Sequence, residues 1–196
     1  FIRSLSGLFA SALALVVVLG VLFAPALTAL FAPGFLDQPD VYRQTSELVR
    51  ITFPYLGLIS LTAYASALLN AHGRFALPAA TPVLLNISLM LAAAVAIFGW
   101  VDAQPVVIVA WGVMAAGIAQ LLVQLPTLGR LGLLPRPNLD TKQEGVRQVG
   151  KLLLPAVFAA SVAQINALVN TILASTLVSG SIAWLYYADR LLELPV

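Results

Sequence analysis

Cysteine is absent from this 196-residue sequence, and histidine occurs only once. Without cysteine, the chain can form neither disulfide bonds nor thiolate metal sites. Charged residues are also scarce: they make up 9% of the chain, whereas soluble domains carry about 25%. Such a chain has too little polar surface to cover a water-facing exterior, which argues against a soluble protein. The net charge of +2 is too small to indicate a nucleic-acid partner.

Long runs without Asp, Glu, Lys or Arg separate the few charges. They cover residues 4–36, 51–73, 75–101, 103–129 and 152–188. Because a helix of about 20 apolar residues crosses a membrane, each of the first four runs holds one span. The last run holds one span, a turn and the start of another. The sequence therefore predicts an all-α, polytopic membrane helix bundle with about six spans, expected to be an internal piece of a longer transporter.

Prolines, glycines and polar turns set the expected ends of the spans. The spans are expected over residues 6–31, 48–69, 77–100, 106–128 and 152–177, and from 181 onward. A polar loop is expected from Asp37 to Glu47. The fourth span is rich in small residues, which let helix backbones approach closely in lipid.

The longest polar segment, residues 129–151, carries five basic residues. We expect it to be a linker between two helical bundles, with residues 1–128 in an N-terminal lobe of four helices. Residues 152–196 would then begin a C-terminal lobe with two helices, the last one truncated. Within the linker, Thr141 and Glu144 have the spacing of a helix capping box, which predicts a short amphipathic helix.

Basic residues are distributed unequally between the two sides of the predicted membrane bundle. One side has seven Lys or Arg residues, and the other has only Arg43 and Arg50. Since cytoplasmic loops are enriched in basic residues, the first side, which includes the linker, is predicted to be cytoplasmic.

Arg190 lies well inside the predicted sixth span, about 14 Å from its start at 1.5 Å per residue. An arginine near the centre of a bilayer costs about 3 kcal/mol on insertion scales, and such residues usually face a cavity or the bundle interior. One interpretation is that Arg190 pairs with Asp189 or Glu193. The other is that it lines a polar cavity and binds an anionic group, with the carboxylates holding it in position. Its planar fork suits phosphate.

Gln164, Asn166 and Asn170 are the amide side chains of the predicted fifth span. They are candidates either for hydrogen bonds between helices or for the lining of the same cavity. Tyr186 and Tyr187 are likewise candidates for core packing or for cavity lining. Motifs of metalloproteases, serine hydrolases and phosphate-binding loops are absent, so the sequence predicts a protein that is not an enzyme and uses no cofactor or metal.

Several sequence motifs stand out along the chain: residues 52–55, 69–75, Pro78, 81–86, 110–112, 124–126, 154–156, 164–175 and 179–191. Together these motifs resemble the MurJ (MviN-type) lipid II flippase family of the multidrug/oligosaccharidyl-lipid/polysaccharide exporter superfamily. The resemblance covers nearly the whole chain.

This resemblance implies a two-lobed transporter with fourteen spans around a central cavity, of which this chain would be the third to eighth. It implies that lipid II, a lipid-linked peptidoglycan precursor, is moved from the inner to the outer leaflet of the bacterial cytoplasmic membrane by alternating access. Arg190 matches the family's cavity arginine for the precursor's diphosphate. Some members bind sodium through an acidic residue on the seventh span, whereas the matching span here has only amides, which argues against sodium coupling there.

The partners implied are lipid II and membrane lipids, with coupling to an ion or to the membrane potential left open. Alternatives are a polysaccharide-lipid flippase or a cation-coupled drug exporter of the same superfamily. A drug exporter would be expected to favour acids over arginine within the membrane. An intramembrane lipid-modifying enzyme would need paired carboxylates or histidines on facing helices, and the first four spans contain none.

Overall fold

In the described residues, eight α-helices make up most of the structure, in agreement with the predicted all-α class. The computed structural model describes residues 2–134, 144–178 and 180–192, and every regular element in those residues is helical. A single turn of 3-10 helix, Pro33–Phe35, lies between α2 and α3. The helices are α1 (Ile2–Leu22), α2 (Ala24–Phe31), α3 (Pro39–Thr52), α4 (Pro54–Ala71), α5 (Ala76–Ile97), α6 (Pro105–Arg130), α7 (Glu144–Ser175) and α8 (Ser181–Leu192).

Among the described residues, four helical segments are long and apolar enough to cross a membrane: 39–71, 76–97, 105–130 and 155–175. The broken pair of α1 and α2 makes a fifth if it is counted as one span. α8 begins at Ser181 as expected and is described for 12 residues. Each predicted span therefore contains α-helix. The first is broken, however, and the helical segments of the second and fifth begin earlier than predicted, at Pro39 and Glu144.

The first span is interrupted, where an uninterrupted helix was predicted. α1 ends at Leu22 and α2 begins at Ala24, with Phe23 between them and Pro25 in the first turn of α2. Proline lacks a backbone N–H and clashes with the preceding turn, so it kinks or breaks a helix, and here the helix is broken. Thr28 lies one turn later and donates from its Oγ1 to the carbonyl oxygen of Ala24 at 3.0 Å.

The prediction of a polar loop from Asp37 to Glu47 was wrong, because most of that segment belongs to α3. Pro39 begins this helix and Asp40 lies in its first turn. A proline at the first helical position needs no hydrogen-bond donor, and a carboxylate there favours the positive end of the helix dipole. The charged residues of this segment lie on one side of the amphipathic helix α3, and their spacing in the sequence resembles that of a polar loop.

The chain divides into two compact units. The first consists of residues 1–22 and 48–146, and the second of residues 23–47 and 147–196. In the first unit, α6 packs against α4 and α5, and α1 packs against α4. Its apolar core is formed by Ala65, Leu69 and Leu128.

Small residues on α6 allow the close packing that the sequence predicted. Gly112, Ala116 and Gly117 are buried. A methyl group added at Gly112 would come within 2.5 Å of the Ala92 Cβ on α5, and one added at Gly117 would come within 2.7 Å of the Tyr55 ring. The backbones are therefore as close as glycine permits.

Buried polar side chains also connect the helices of the first unit. Gln124 of α6 donates from its Nε2 to Ser66 Oγ of α4 at 2.9 Å and to Thr81 Oγ1 of α5 at 3.1 Å. Gln120 donates from its Nε2 to the carbonyl oxygen of Thr81 at 3.2 Å. Both glutamines are at most 1% exposed, so these bonds lie in a dry interior.

In the second unit, α2 and α3 are joined by side-chain hydrogen bonds. Tyr42 donates from its hydroxyl to the carbonyl oxygen of Pro25 at 2.8 Å, and Ser46 Oγ lies 3.2 Å from Thr28 Oγ1. Gly34 packs against the end of α7, where its amide donates to Ser175 Oγ at 3.2 Å.

The last third of the predicted linker forms the start of α7. Residues 144–151 are helical and continue without interruption through Pro155 to Ser175. Thr141 and its two successors, the first part of the predicted capping box, lie outside the described residues. The assignment of residues 129–151 as a linker between two lobes stays a prediction.

Candidate functional site

The α7–α8 hairpin carries the site residues predicted from the sequence. α7 ends at Ser175, and the backbone amides of Thr176 and Leu177 bond to carbonyl oxygens one turn earlier, at 3.1 and 3.2 Å. Gly180 has a φ of +97°, a conformation that residues with a Cβ rarely adopt. The amide of Trp184 then bonds to the carbonyl oxygen of Gly180 at 2.9 Å, which sets the first turn of α8.

An open groove of about 490 Å³ lies between α7 and α8. Its walls are mostly apolar, and Asn170 and Ser181 are its polar members. The residues that line it are Asn170, Leu173, Ala174, Leu177, Ser181, Trp184, Leu185 and Ala188. Asn170 therefore faces the groove between the two helices, a position compatible with either interpretation made from the sequence.

The three predicted amides do not form one stripe on α7. Asn166 lies one turn before Asn170 and shares its side of the helix, since residues four apart are neighbours on a helix surface. Gln164 lies six residues before Asn170, which at 3.6 residues per turn places it about 120° around the helix. Gln164 and Asn166 are both exposed in this chain.

Arg190 is the tenth residue of α8, about 14 Å along the helix axis from its start. Its Nε donates to the hydroxyl oxygen of Tyr186 at 3.2 Å. Its guanidinium carbon also lies 5.4 Å from the centroid of the Tyr186 ring, within the range of a cation–π contact. The charged group thus has a defined position on the exposed surface of α8.

Arg190 and Asn170 are not brought together by the hairpin. The groove-lining residues of α8 follow one another at helical spacing, and the last is Ala188. Arg190 is two residues further on, a rotation of about 200°. The guanidinium therefore projects from the side of α8 opposite the groove.

Asp189 is exposed and, as the immediate neighbour of Arg190, projects from a different side of the helix, since consecutive residues do not face each other. Glu193, the other carboxylate proposed to position Arg190, lies outside the described residues. One contact that the structure describes for the guanidinium comes from Tyr186, one turn earlier. In the described part of the chain, no group of three His, Asp or Glu side chains is arranged to hold a metal.

The contact between Tyr186 and Arg190 was not predicted. The signal was present, because the two residues are four apart and residues at that spacing meet on one face of a helix. Only carboxylates were expected as partners of the arginine, and the tyrosine was a candidate for packing or cavity lining. In this chain, 56% of the surface of the tyrosine is exposed.

The model of the family described as "Lipid II flippase MurJ" matches residues 1–196 of this chain. The chain belongs to the MurJ family. A probable lipid II flippase MurJ from Haemophilus influenzae is 40% identical over 203 residues, which cover 100% of this chain and 39% of the relative.

Two further relatives agree with this assignment. A probable lipid II flippase MurJ from Vibrio cholerae is 42% identical and aligns with 97% of this chain and 37% of its own length. The lipid II flippase MurJ from Burkholderia cenocepacia is 38% identical and aligns with 99% of this chain and 38% of its own length. The chain thus spans about two fifths of the length of the curated relatives that it matches.

Membership of the MurJ family confirms the resemblance found in the sequence motifs. The family is named for a transport activity, in agreement with the predicted transporter. Together with the membrane-length apolar helices, it makes the chain part of a multi-pass protein of the bacterial inner membrane. The roles of Arg190, the amides and the carboxylates stay predictions.

Proposed function

We propose that the protein containing this chain flips lipid II from the inner to the outer leaflet of the bacterial cytoplasmic membrane. The proposal depends on one observation above all. This chain of the MurJ family carries Arg190 about 14 Å along α8, the helix that follows the short turn after α7. A diphosphate cannot cross hydrocarbon unaided, because burying an unpaired charge costs too much. A fixed guanidinium on the transport path would offset that cost.

In this proposal, Arg190 binds the diphosphate of the precursor. Arginine remains charged at any physiological pH and offers five N–H donors in a planar fork that matches phosphate oxygens. The Tyr186 contact supports this role because it fixes the guanidinium without adding a negative charge. The side of α8 that carries Arg190 would face the transport cavity, and the groove on the other side would be packing surface.

Movement would occur by alternating access, in which the headgroup enters from the cytoplasm and leaves outward while the lipid tail stays in the bilayer. Pro82 and Pro155 lie inside α5 and α7, where a missing backbone hydrogen bond allows a helix to bend. After Lys151, α7 contains amide side chains but no carboxylates. Transport would therefore be coupled to the membrane potential or to an ion that is not bound by a carboxylate in this part of α7.

Complementation tests this function. The full-length gene is expressed in bacteria depleted of their own lipid II flippase, with Arg190 unchanged or replaced by Ala or Lys. Loss of charge-assisted hydrogen bonds should weaken headgroup binding by roughly 10- to 100-fold, so Arg190→Ala should fail to restore growth. Arg190→Lys should restore it partly, because lysine keeps the charge but loses the planar fork.

Arg43→Ala is the matched control. It removes one positive charge from an exposed site, where the guanidinium lies 3.9 Å from the Asp40 carboxylate, and such surface pairs contribute little to stability. It should restore growth fully. Full growth with Arg190→Ala, at a normal amount of protein in the membrane, would overturn the assignment of Arg190. Failure of the unmodified gene would overturn the proposed function itself.

A further inference from the structure

α2 and α3, with the turn between them, form a helical hairpin that is attached to α1 and α4 through two interruptions. α1 and α2 are separated at Phe23, and Pro25 lies in the first turn of α2. α3 and α4 are separated at Phe53, and Pro54 begins α4. Because proline lacks the N–H that would continue the hydrogen bonds of a helix, the chain can bend at both places. Both ends of the hairpin are therefore candidate hinges.

The two interruptions lie close to each other. Gly20, three residues before Phe23, packs so closely against the Phe53 ring that a side chain added at residue 20 would overlap this ring. Only glycine permits such an approach. Two hinges that lie side by side define one axis, about which the segment between them can swing as a body.

Polar contacts hold the two helices of the hairpin together. The Tyr42 hydroxyl donates to the carbonyl oxygen of Pro25 at 2.8 Å, and Ser46 Oγ lies 3.2 Å from Thr28 Oγ1. Thr28 and Ser46 are buried, and a hydrogen bond is stronger in such an interior than in water. We therefore expect α2 and α3 to move together.

The tip of the hairpin meets the end of α7 through a narrow contact. The Gly34 amide donates to Ser175 Oγ at 3.2 Å, and a side chain added at Gly34 would overlap the Ser175 carbonyl oxygen. Beside this contact is a cavity of about 110 Å³, lined by Phe35 and Val41 of the hairpin and by Ser181 of α8. A contact with one described hydrogen bond and an unfilled cavity beside it needs little free energy to open.

This contact lies on the side of the membrane bundle that the distribution of basic residues predicts to be exterior. We propose that the α2–α3 hairpin is an exterior gate for the transported headgroup, hinged at Phe23 and Phe53 and latched when Gly34 binds Ser175. The proposal rests on the function proposed above, and it assigns the outward opening to a hairpin instead of a whole lobe. The buried bonds of Gln124 among α4, α5 and α6 lie outside the hairpin, so they stay intact when the gate opens.

A cross-link across the cavity tests the gate in the full-length protein. This chain contains no cysteine, and any cysteine elsewhere in the full-length protein is first replaced by serine. Val41→Cys and Ser181→Cys are combined and joined by a short bis-methanethiosulfonate reagent, which a reductant removes. Flipping of fluorescent lipid II in proteoliposomes should be lost on cross-linking and restored by the reductant. Binding of lipid II should stay unchanged, because the link holds the gate closed without touching the binding site.

The two single-cysteine variants, treated with the same reagent, are the matched controls and should flip lipid II at the unmodified rate. A disulfide formed in the Thr28→Cys, Ser46→Cys double variant joins α2 to α3 inside the hairpin and should also leave flipping unchanged. Loss of flipping through this disulfide would show that the hairpin does not move as a body and would overturn the proposal.

Continued flipping by the fully cross-linked Val41→Cys, Ser181→Cys variant would overturn the gate and leave the proposed function intact. Loss of lipid II binding together with flipping would show that the link acts on the binding site, and would likewise overturn the gate. If the unmodified protein does not flip lipid II, the proposed function and the gate fall together.

Pro25→Ala tests the hinge separately. Alanine restores the missing backbone donor, so α1 and α2 can join into one stiffer helix. Flipping should slow several-fold, while lipid II binding and thermal stability are kept. Pro105→Ala is the control, since Pro105 begins α6 and interrupts no helix, a position where the missing donor has no consequence. An unchanged flipping rate for Pro25→Ala would overturn the hinge at Phe23.

Discussion

Gln124 is the residue through which the packing of α4, α5 and α6 can be tested most directly. Its side chain is fully buried, and its Nε2 donates to Ser66 Oγ at 2.9 Å and to Thr81 Oγ1 at 3.1 Å. Its Oε1 accepts from Ser66 Oγ at 3.3 Å. Replacement by leucine keeps a similar volume and removes all three bonds.

The expected cost follows from these contacts. Hydrogen bonds between membrane helices contribute about 0.6 kcal/mol each on average and about 1.7 kcal/mol at most. Three bonds therefore give roughly 2 kcal/mol for Gln124→Leu. Thr81 loses little in addition, because its hydroxyl still donates to the carbonyl oxygen of Leu77 at 2.9 Å. Gln124→Ala also leaves a cavity and should cost about 3–4 kcal/mol in total.

Unfolding of the full-length protein by a denaturing detergent, followed by tryptophan fluorescence, measures these differences in the free energy of unfolding. A double-mutant cycle between Gln124→Leu and Ser66→Ala should give a coupling of about 1 kcal/mol, because two of the three bonds join these residues. Gln38→Leu is the control, since it changes an exposed glutamine with no proposed role and should stay within about 0.5 kcal/mol of the unmodified protein. A Gln124→Leu variant as stable as the unmodified protein, with no coupling to Ser66, would refute the reasoning.

Two further substitutions test close backbone approaches. Gly112→Ala brings a methyl group within 2.5 Å of the Ala92 Cβ and should lower the free energy of unfolding by about 1–3 kcal/mol. In the control Gly129→Ala, the added methyl group meets only the flexible end of the Leu134 side chain at 3.3 Å, so the free energy of unfolding should change by no more than about 0.5 kcal/mol. Equal stability of the two variants would contradict the close packing of α5 and α6. In Gly34→Ala, the added methyl group would overlap the carbonyl oxygen of Ser175. Amide hydrogen exchange should therefore rise around residue 34 and at the end of α7, and it should stay unchanged in α5 and α6. Unchanged exchange at Ser175 and its neighbours would show that this contact is absent.

The spans inside the first unit were the most predictable part of the fold. Charge-free runs of membrane length located α5 and α6, and their observed bounds, Ala76–Ile97 and Pro105–Arg130, lie within a few residues of the predicted ones. The helix class there is dictated by lipid, in which every backbone polar group must find an internal partner. The small residues on α6 likewise predicted close packing, which Gly112 shows.

The segments around the second unit were harder to predict. The run of charges in α3 indicated a loop, because hydropathy weighs composition and not which side of a helix faces solvent. Its inner side contacts α2 through Ser46 and Tyr42, and those partners lie 17 or 18 residues away along the chain. The break at Phe23 was missed because Pro25, deep inside the apolar run of residues 4–36, was not treated as an interruption.

By itself, the sequence determined the all-α membrane class, the approximate positions of most of the apolar helices, and the place of Arg190 near the end of the last described helix. These properties depend on solvent and on neighbours along the chain, which composition and spacing describe. Tertiary structure alone decided which polar groups meet, such as Gln124 with Ser66 and Thr81. It also decided that the groove lined by Asn170 of α7 lies on one side of α8, whereas Arg190 projects from the opposite side. Such pairings depend on helix rotation and on contacts between distant segments, which hydropathy does not specify.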